Sequence, residues 1–313
     1  MLHIDAHQVN ALLDWPSLIA AMREAHSTGP RPQIGDMMLG PAGRTLLVRG
    51  AFFEGVGIGL KAVTVFEANA ARAVPKPTVQ GEFLLFGEED GSQLCSIDGA
   101  AITPWKTAAD SALGASLLAP PAPRVMTMVG AGTMARPLIE AHLSARPSIE
   151  EIRLWNRTQA NAELLAATLD GLGPRIRVTG DLAEAVAAAD LISAATLSVA
   201  PLIRGEWLKP GAHLDLVGAF RPDMREADDA ALLRARIFVD ARETTMPHIG
   251  EIRIPLEAGT ITPASIEADL FDLCRGFAVN RAPADITLYK NGGGAHLDLI
   301  VARHIFARAT AGP

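Results

Sequence analysis

The chain has 313 residues, 49% hydrophobic and 20% charged, long enough to bury a substantial core and suggesting about two domains. Its formal net charge of -7 argues against a general affinity for nucleic acid or an anionic membrane and favours small-molecule partners. Only Cys95 and Cys274 are present, far apart, so neither a disulfide framework nor a zinc cluster is indicated, no metal site is expected, and a reducing cytoplasm is the expected compartment. The first residues lack the layout of a secretory signal, and apolar stretches such as 182–201 are interrupted by Glu184 and Asp190, so neither export nor membrane spanning is expected.

Taken in chain order, Leu12 and Leu13 close one apolar helical turn. Asp14 then caps a second helix, with Pro16 in its first turn and Leu18, Ile19 and Met22 on one face. From 37 to 86 the texture becomes β-like, with strands at 45–49, 59–65 and 81–86 separated by Gly, Pro and Asn, which predicts an antiparallel or mixed sheet. Thr103-Pro104 opens a helix through Ala108, Leu113 and Leu117, and Ala119-Pro120-Pro121-Ala122-Pro123 stops it as a stiff linker. The domain boundary is placed there, giving a first domain of 1–118 and a second of 119–284.

Beyond the linker the pattern alternates: strand 124–129, helix from Met134, strand 152–155, helix 160–169, strand 176–178, helix 182–189 and strand 191–195, with further strands at 214–217 and 237–239. Such alternation predicts an α/β protein with a Rossmann-type doubly wound parallel sheet, beside a second domain of α+β character. The tail carries a turn, Asn291-Gly292-Gly293-Gly294, and then a helix with Leu297, Ile300 and Val301 inward. Its length suits a return to the first domain, which 285–313 would complete.

The strand at 125–129 runs straight into Gly130-Ala131-Gly132-Thr133-Met134-Ala135 and a helix. Gly130 permits the tight turn, Gly132 lets the backbone approach a pyrophosphate, and Ala135 in place of a third glycine still permits close helix packing. Alone, this spacing also fits an ordinary strand-to-helix turn; the βα series behind it favours a dinucleotide. At the end of the next strand, where NAD enzymes place an acid against the ribose 2′-hydroxyl, stands Trp155-Asn156-Arg157-Thr158. Arg157 can hold a 2′-phosphate, with Asn156 and Thr158 adding hydrogen bonds, so NADPH is the preferred cofactor and NADH the alternative. The alternative is an arginine simply solvated after a strand.

Several ordered segments resemble the ornithine cyclodeaminase and mu-crystallin family over nearly the whole chain. They are Gly59-Leu60-Lys61-Ala62-Val63-Thr64-Val65-Phe66, Ile102-Thr103-Pro104-Trp105-Lys106-Thr107-Ala108-Ala109, the Gly130 turn, Ala195-Thr196, and 217–226. The resemblance implies that the first domain supplies substrate groups and a dimer interface, the second binds the dinucleotide, and the active site lies in the cleft between them. It makes Lys61 the leading catalytic candidate, although a strand lysine can equally be a surface charge. Where most members carry Arg-Thr, this chain has Lys106-Thr107, a point charge in place of a fork. Lys106 and Thr107 are candidate contacts to substrate and cofactor. Arg49, in an otherwise apolar strand, is the guanidinium that could restore the carboxylate clamp or form a structural salt bridge; Arg31 and Gln33 lie near the family's other arginine position. On the cofactor side the candidates are Gly130, Ala131, Gly132, Thr133, Met134, Asn156, Arg157, Thr158, Thr196, Val217, Gly218 and Gly292.

Cyclodeaminases place an acid–base aspartate where this chain has Phe220, and a phenyl ring cannot move protons. The run 220–226 resembles instead the mu-crystallin and ketimine reductase branch; Asp223 is read as a cap or a partner of Arg225. The resemblance therefore implies NADPH-dependent reduction of a cyclic imine carboxylate, 1-pyrroline-2-carboxylate or 1-piperideine-2-carboxylate, to L-proline or L-pipecolate, in a homodimer. Ornithine or lysine cyclodeamination, reductive amination of pyruvate, and NADPH or ligand binding without turnover are the alternatives. His142, His213, His248 and His296 are dispersed without metal-ligand spacing and are read as structural or solvent-facing, while Glu54 and Glu82 line the substrate side or the surface.

Overall fold

Capped helices lead the chain, as the sequence predicts. After β1 (Leu2–Ile4), α1 (Ala6–Leu12) starts in a reciprocal capping box between Asp5 and Gln8, and α2 (Trp15–Ser27) starts where Asp14 accepts the Ser17 N–H. Five longer strands follow: β2 (Gln33–Leu39), β3 (Arg44–Phe53), β4 (Gly57–Phe66), β5 (Val79–Phe86) and β6 (Gln93–Asp98). They form a mixed sheet in the order β1-β6-β5-β4-β3-β2, antiparallel except for the parallel β1–β6 pair. The next helix, α3 (Gly99–Leu118), begins a turn earlier than Thr103-Pro104 suggests. Asp98 Oδ1 accepts the N–H groups of Ala100 and Ala101 at 2.9 and 2.8 Å, so the cap is Asp98, and Pro104 rides inside the helix.

The remaining elements alternate: β7 (Val125–Val129), α4 (Ala135–Ala145), β8 (Glu151–Trp155), α5 (Gln159–Thr168), β9 (Arg175–Val178), α6 (Leu182–Ala188), β10 (Leu191–Ala194), β11 (His213–Leu216), α7 (Asp229–Arg234), β12 (Ala235–Val239), α8 (Arg242–Thr245), α9 (Gly250–Glu257), β13 (Ile266–Asp269), α10 (Leu270–Cys274), β14 (Ile286–Lys290) and α11 (Ala295–Thr310). Strands β7 to β14 make one parallel sheet in the order β13-β12-β14-β11-β10-β7-β8-β9, the doubly wound arrangement expected. The order reverses between β7 and β10, which places a topological switch point at their carboxyl ends.

The computed structural model describes residues 2–311, and these fall into two compact units. One unit is the chain up to Lys106 together with the segment from Gly294; the other is Thr107–Gly293. The first division thus falls inside α3, not at the proline-rich linker after 118. The second half of α3 is committed to the sheet of the second unit. Ser111 Oγ donates to Asp215 on β11 at 2.8 Å, and a Cβ on Gly114 would lie 2.8 Å from the Tyr289 ring of β14.

The tail also divides later than expected. Ile286-Thr287-Leu288-Tyr289-Lys290 is buried at every position and inserts between β11 and β12, so it belongs to the parallel sheet, and only α11 rejoins the first unit. Such strands are covered on both faces and read as unbroken buried runs. The polar members of these strands are paired: Asp215 accepts from Ser111, from Ser193 at 2.7 Å and from His142 at 3.1 Å, and His213 Nδ1 meets Thr287 Oγ1 at 2.8 Å. Among the described residues no helix is long and apolar enough to cross a membrane.

Candidate active site

In the first unit, the alternation of β4 turns Gly57, Gly59, Lys61 and Val63 to the buried face. α11 lies against β3 and β4. Gly59 permits that approach, because a Cβ there would stand 2.3 Å from the Phe83 ring and 3.0 Å from Leu299 of α11. Beside Leu299, Asp298 is fully buried and meets two ammoniums. Lys61 Nζ donates to Asp298 Oδ1 at 3.2 Å and to Thr103 Oγ1 at 2.6 Å; Lys106 Nζ donates to Asp298 Oδ2 at 2.8 Å. Thr103 and Lys106 are three residues apart on α3 and share a face. Lys61 and Lys106 are 5% and 4% exposed, so the plain explanation of Lys61 as a surface charge is excluded by its burial.

Burial would raise the Asp298 carboxyl, but Lys106, Lys61 and Arg49 together outweigh it and hold the group at about 2. Burial brings Lys106 down to about 8, with Asp298 opposing and Arg49 and Lys61 assisting. Arg49, on β3, stands directly opposite Lys61 of β4 and opposite Asp36 of β2; its Nη2 and Nε donate to Asp36 Oδ2 at 2.8 and 3.0 Å. It is therefore a salt-bridge former whose charge also reaches the Lys106–Asp298 pair. His296, buried one helical step before Asp298, is held well below the usual histidine range by burial, then by His26, Lys106 and Arg49.

In the second unit, β7 delivers the Gly130 turn to the switch point. Gly130 has φ +106°, and a Cβ there would come within 2.7 Å of Ala195 O and 3.3 Å of the Thr196 side chain, so only glycine fits. Gly132 differs: a Cβ would meet nothing within 4 Å. No packing inside the chain demands a glycine there, and the bare exposed backbone fits close approach by a pyrophosphate at the start of α4. Asn156 Oδ1 accepts the Ala131 N–H at 3.1 Å, and its Nδ2 donates to Thr158 O at 2.8 Å, so Asn156 shapes the turn. Arg157 is exposed and, among the described residues, no carboxylate engages it. The turn can thus receive a dinucleotide, with a free guanidinium after β8.

Thr196 and Gly218 end β10 and β11, and both donate to buried Glu226: Thr196 N and Oγ1 to Oε1 at 2.7 and 2.8 Å, Gly218 N to Oε2 at 2.6 Å. The Gly292 and Gly293 N–H groups are taken by Asp240 Oδ2 at 2.9 and 2.6 Å. Thr107 offers its carbonyl to Asn291 Nδ2 at 2.9 Å, and the Lys106 ammonium is engaged by Asp298. Asp223 pairs with Arg221 at 3.0 Å and Arg225 with Asp229 at 2.7 Å, so the expected Asp223–Arg225 pairing is corrected: both arginines are two residues from Asp223, but Arg225 is taken by Asp229 on α7. Phe220 is 58% exposed, with the Arg221 guanidinium 5.7 Å from its ring centre. Glu54 is exposed and Glu82 lies 3.7 Å from His3. His142 on α4 and His213 on β11 are buried and His248 is exposed; among the described residues no group of His, Cys, Asp or Glu is arranged to hold a metal ion.

Sequence reasoning missed Asp298, Thr103 as a lysine partner, Glu226 and Asp240. One signal was available. An acid inside His296-Leu297-Asp298-Leu299-Ile300, on a helix read as apolar inward, needs a cation, and a lysine in an apolar strand needs an anion.

A doubly wound sheet with a glycine turn at its switch point defines a dinucleotide-binding α/β protein, here with a buried dilysine–aspartate cluster in its first unit. The model of the ornithine cyclodeaminase/mu-crystallin family matches residues 24–313, and the chain belongs to that family. It is 48% identical over 301 residues to a Delta(1)-pyrroline-2-carboxylate reductase of Paracoccus denitrificans, covering 96% of this chain and 94% of that protein. It is 37% identical over 252 residues to the ketimine reductase mu-crystallin of Mus musculus, covering 80% and 76%. The solved structure of the Thermococcus litoralis Delta(1)-pyrroline-2-carboxylate reductase in complex with NADH and L-proline is similar with a TM-score of 0.92 at 25% identity, covering 99% of this chain and 97% of that one.

Removing Asp298 leaves two buried ammoniums facing one another. Asp298→Ala is expected to lower the free energy of unfolding by about 3–5 kcal/mol in urea titration, the usual result of breaking a buried pair from one side; a loss within experimental error would show that the cluster is solvated.

Proposed function

We propose that this protein is an NADPH-dependent reductase of cyclic imine carboxylates, with 1-pyrroline-2-carboxylate, reduced to L-proline, as the leading substrate. The six-membered homologue, giving L-pipecolate, has the same reacting group. The observation that carries this reading is the buried cluster: two ammoniums against one carboxylate leave an excess positive charge at a protected site, the complement of a monocarboxylate. The Delta(1)-pyrroline-2-carboxylate reductase named above supports the substrate class.

Bound at the Gly130 turn, the reduced dinucleotide supplies the hydride. Gly130, Ala131, Gly132, Thr133 and Met134 would hold its pyrophosphate, Asn156, Arg157 and Thr158 would hold the ribose and 2′-phosphate, and Thr196, Val217 and Gly218 would line the remainder. In the other unit, Lys106 and Lys61 bind the substrate carboxylate and Asp298 keeps both ammoniums in place. Arg49 adds to the potential. The hydride adds to the C=N carbon, and the π electrons of that bond become the nitrogen lone pair. A protonated imine brings the one proton required, so no separate acid is needed, and a side chain without titratable hydrogen at Phe220 suits this reaction better than cyclodeamination.

NADPH is preferred to NADH on the exposed Arg157 and the absence of an acid at Asn156. We also assign a homodimer to β2, an edge strand on which Met37, Met38 and Leu39 are 48%, 71% and 52% exposed; such an apolar edge is a pairing surface.

NADPH consumption should follow addition of 1-pyrroline-2-carboxylate and yield L-proline. Ammonia release from ornithine without imine reduction would overturn the assignment, as would consumption of NADPH with pyruvate and ammonia alone. Arg157→Ala is expected to cost roughly 10–100-fold in kcat/KM with NADPH and little with NADH, the value of one or two charge-assisted bonds. For the assembly, Met38→Asp should shift the sedimenting species from dimer to monomer, and an unchanged dimer would remove β2 from the interface.

A further inference from the structure

The turns that follow β10 and β11 meet on one side chain, and the turn after β7 abuts the first of them. Gly130 abuts Ala195 and Thr196, and Thr196 and Gly218 are both bonded to Glu226. A Cβ on Gly218 would lie 2.0 Å from Thr196 O and 2.7 Å from Glu226 Oε1, so the two turns are already in contact. The backbone of Glu226 ties the same region: its N–H donates to Glu251 Oε2 at 2.6 Å, and its carbonyl accepts the Leu202 and Ile203 N–H groups at 2.9 Å each. Resting on the dinucleotide reading above, we infer that Glu226 is the positioning residue of the dinucleotide site, and that its ionised carboxylate holds the Thr196 and Gly218 turns in the receiving arrangement while protonation releases them.

The chemistry follows from counting donors. An ionised carboxylate only accepts, and here it accepts three bonds from two turns. Once protonated, the group can no longer accept all three: either a backbone N–H loses its acceptor or the Thr196 hydroxyl must turn to accept, and the charge that strengthens the remaining bonds is gone. The charged groups around it come from two elements: Lys290 at the end of β14, itself donating to Leu216 O and Asn291 O at 2.8 Å, and Glu251 on α9. Arg225 bears on Glu251 and Asp240 on Lys290. Burial pushes the Glu226 carboxyl up to about 7, Lys290 pulling it down and Glu251 pushing it further up. The switch therefore falls near neutral pH.

The sign separates this role from a structural one. A carboxyl raised from 4.5 to about 7 contributes stability that is present below its ordinary value and lost as pH rises through about 7. Acidification across that window does not weaken the fold through Glu226. Dinucleotide affinity should nonetheless fall.

The test is titration of the whole protein with NADPH at pH values one unit either side of the Glu226 midpoint, with NADH as the arm that lacks a titrating 2′-phosphate, and with thermal melting recorded in parallel. The expected wild-type result is a dissociation constant roughly tenfold higher on the acid side for both dinucleotides, in proportion to the fraction still ionised. Glu226→Gln, which can accept at only one of the two positions, should bind at both pH values like the acid form of the wild type, with an undiminished melting temperature. Thr196→Val, which removes one bond and leaves the carboxylate, should bind more weakly and keep the pH step. A wild type with no pH step for NADH overturns the inference, as does a Glu226→Gln protein that binds like the wild type or retains the step. A protein that shows the step and reduces no cyclic imine would instead overturn the proposed reaction and leave Glu226 its role.

Discussion

A carboxylate sealed between two ammoniums is the interaction on which the first unit depends. Ions of this size are costly to bury, and the arrangement persists only because Asp298 satisfies Lys61 and Lys106 together, with Thr103 completing the shell of Lys61. Each partner comes from a different element. Lys61 needs β4 in the middle of its sheet, Lys106 needs α3 to start at Asp98, and Asp298 needs α11 close against a strand where Gly59 has no side chain. Breaking any of these placements leaves a buried charge alone, so the packing of the unit and the chemistry of the cluster are one constraint.

The parallel sheet of the other unit is organised around the ends of its strands. Polar residues inside the fully buried strands are bonded to one another, as Asp215 is to Ser111, Ser193 and His142, and those at the carboxyl ends fix the turns. Glu226 joins the turns after β10 and β11, and Asp240 captures the backbone of Gly292 and Gly293. Among the described residues, the candidate positions with nothing packed on them face outward, notably the α-carbon of Gly132 and the guanidinium of Arg157. Polar groups that hold the turns are thus separate from the positions left open at the surface, the arrangement a preformed site requires.

Local signals carried much of the architecture. Asp14 with Pro16, the Gly130 turn and the alternating strands and helices of the second unit are written in adjacent residues, and the structure follows them closely. What escaped was non-local. β14 enters the sheet between β11 and β12, against chain order, so its hydrophobic run gave no hint of where it would pair. The proline cluster after α3 looked like a boundary because it stops a helix, yet Ser111 and Gly114 had already committed that helix to the second unit. Lys61 and Lys106 could be picked out as unusual, but the residue that makes them a cluster, Asp298, lies 237 and 192 positions away along the chain. Glu226 was visible only as part of a motif, because its role consists of bonds to two turns that the sequence does not place side by side.

If a substrate carboxylate lands on Lys106, its arrival draws in a proton, and calorimetry reads that uptake directly. With dinucleotide saturating, calorimetric titration of L-proline in buffers of different ionisation enthalpy, at a pH near the Lys106 value of about 8, should register uptake of about half a proton per site, because the incoming anion draws the half-neutral amine to its charged form. Lys106→Met should abolish that uptake. Binding of L-proline with no change in protonation of the wild-type protein would contradict the account.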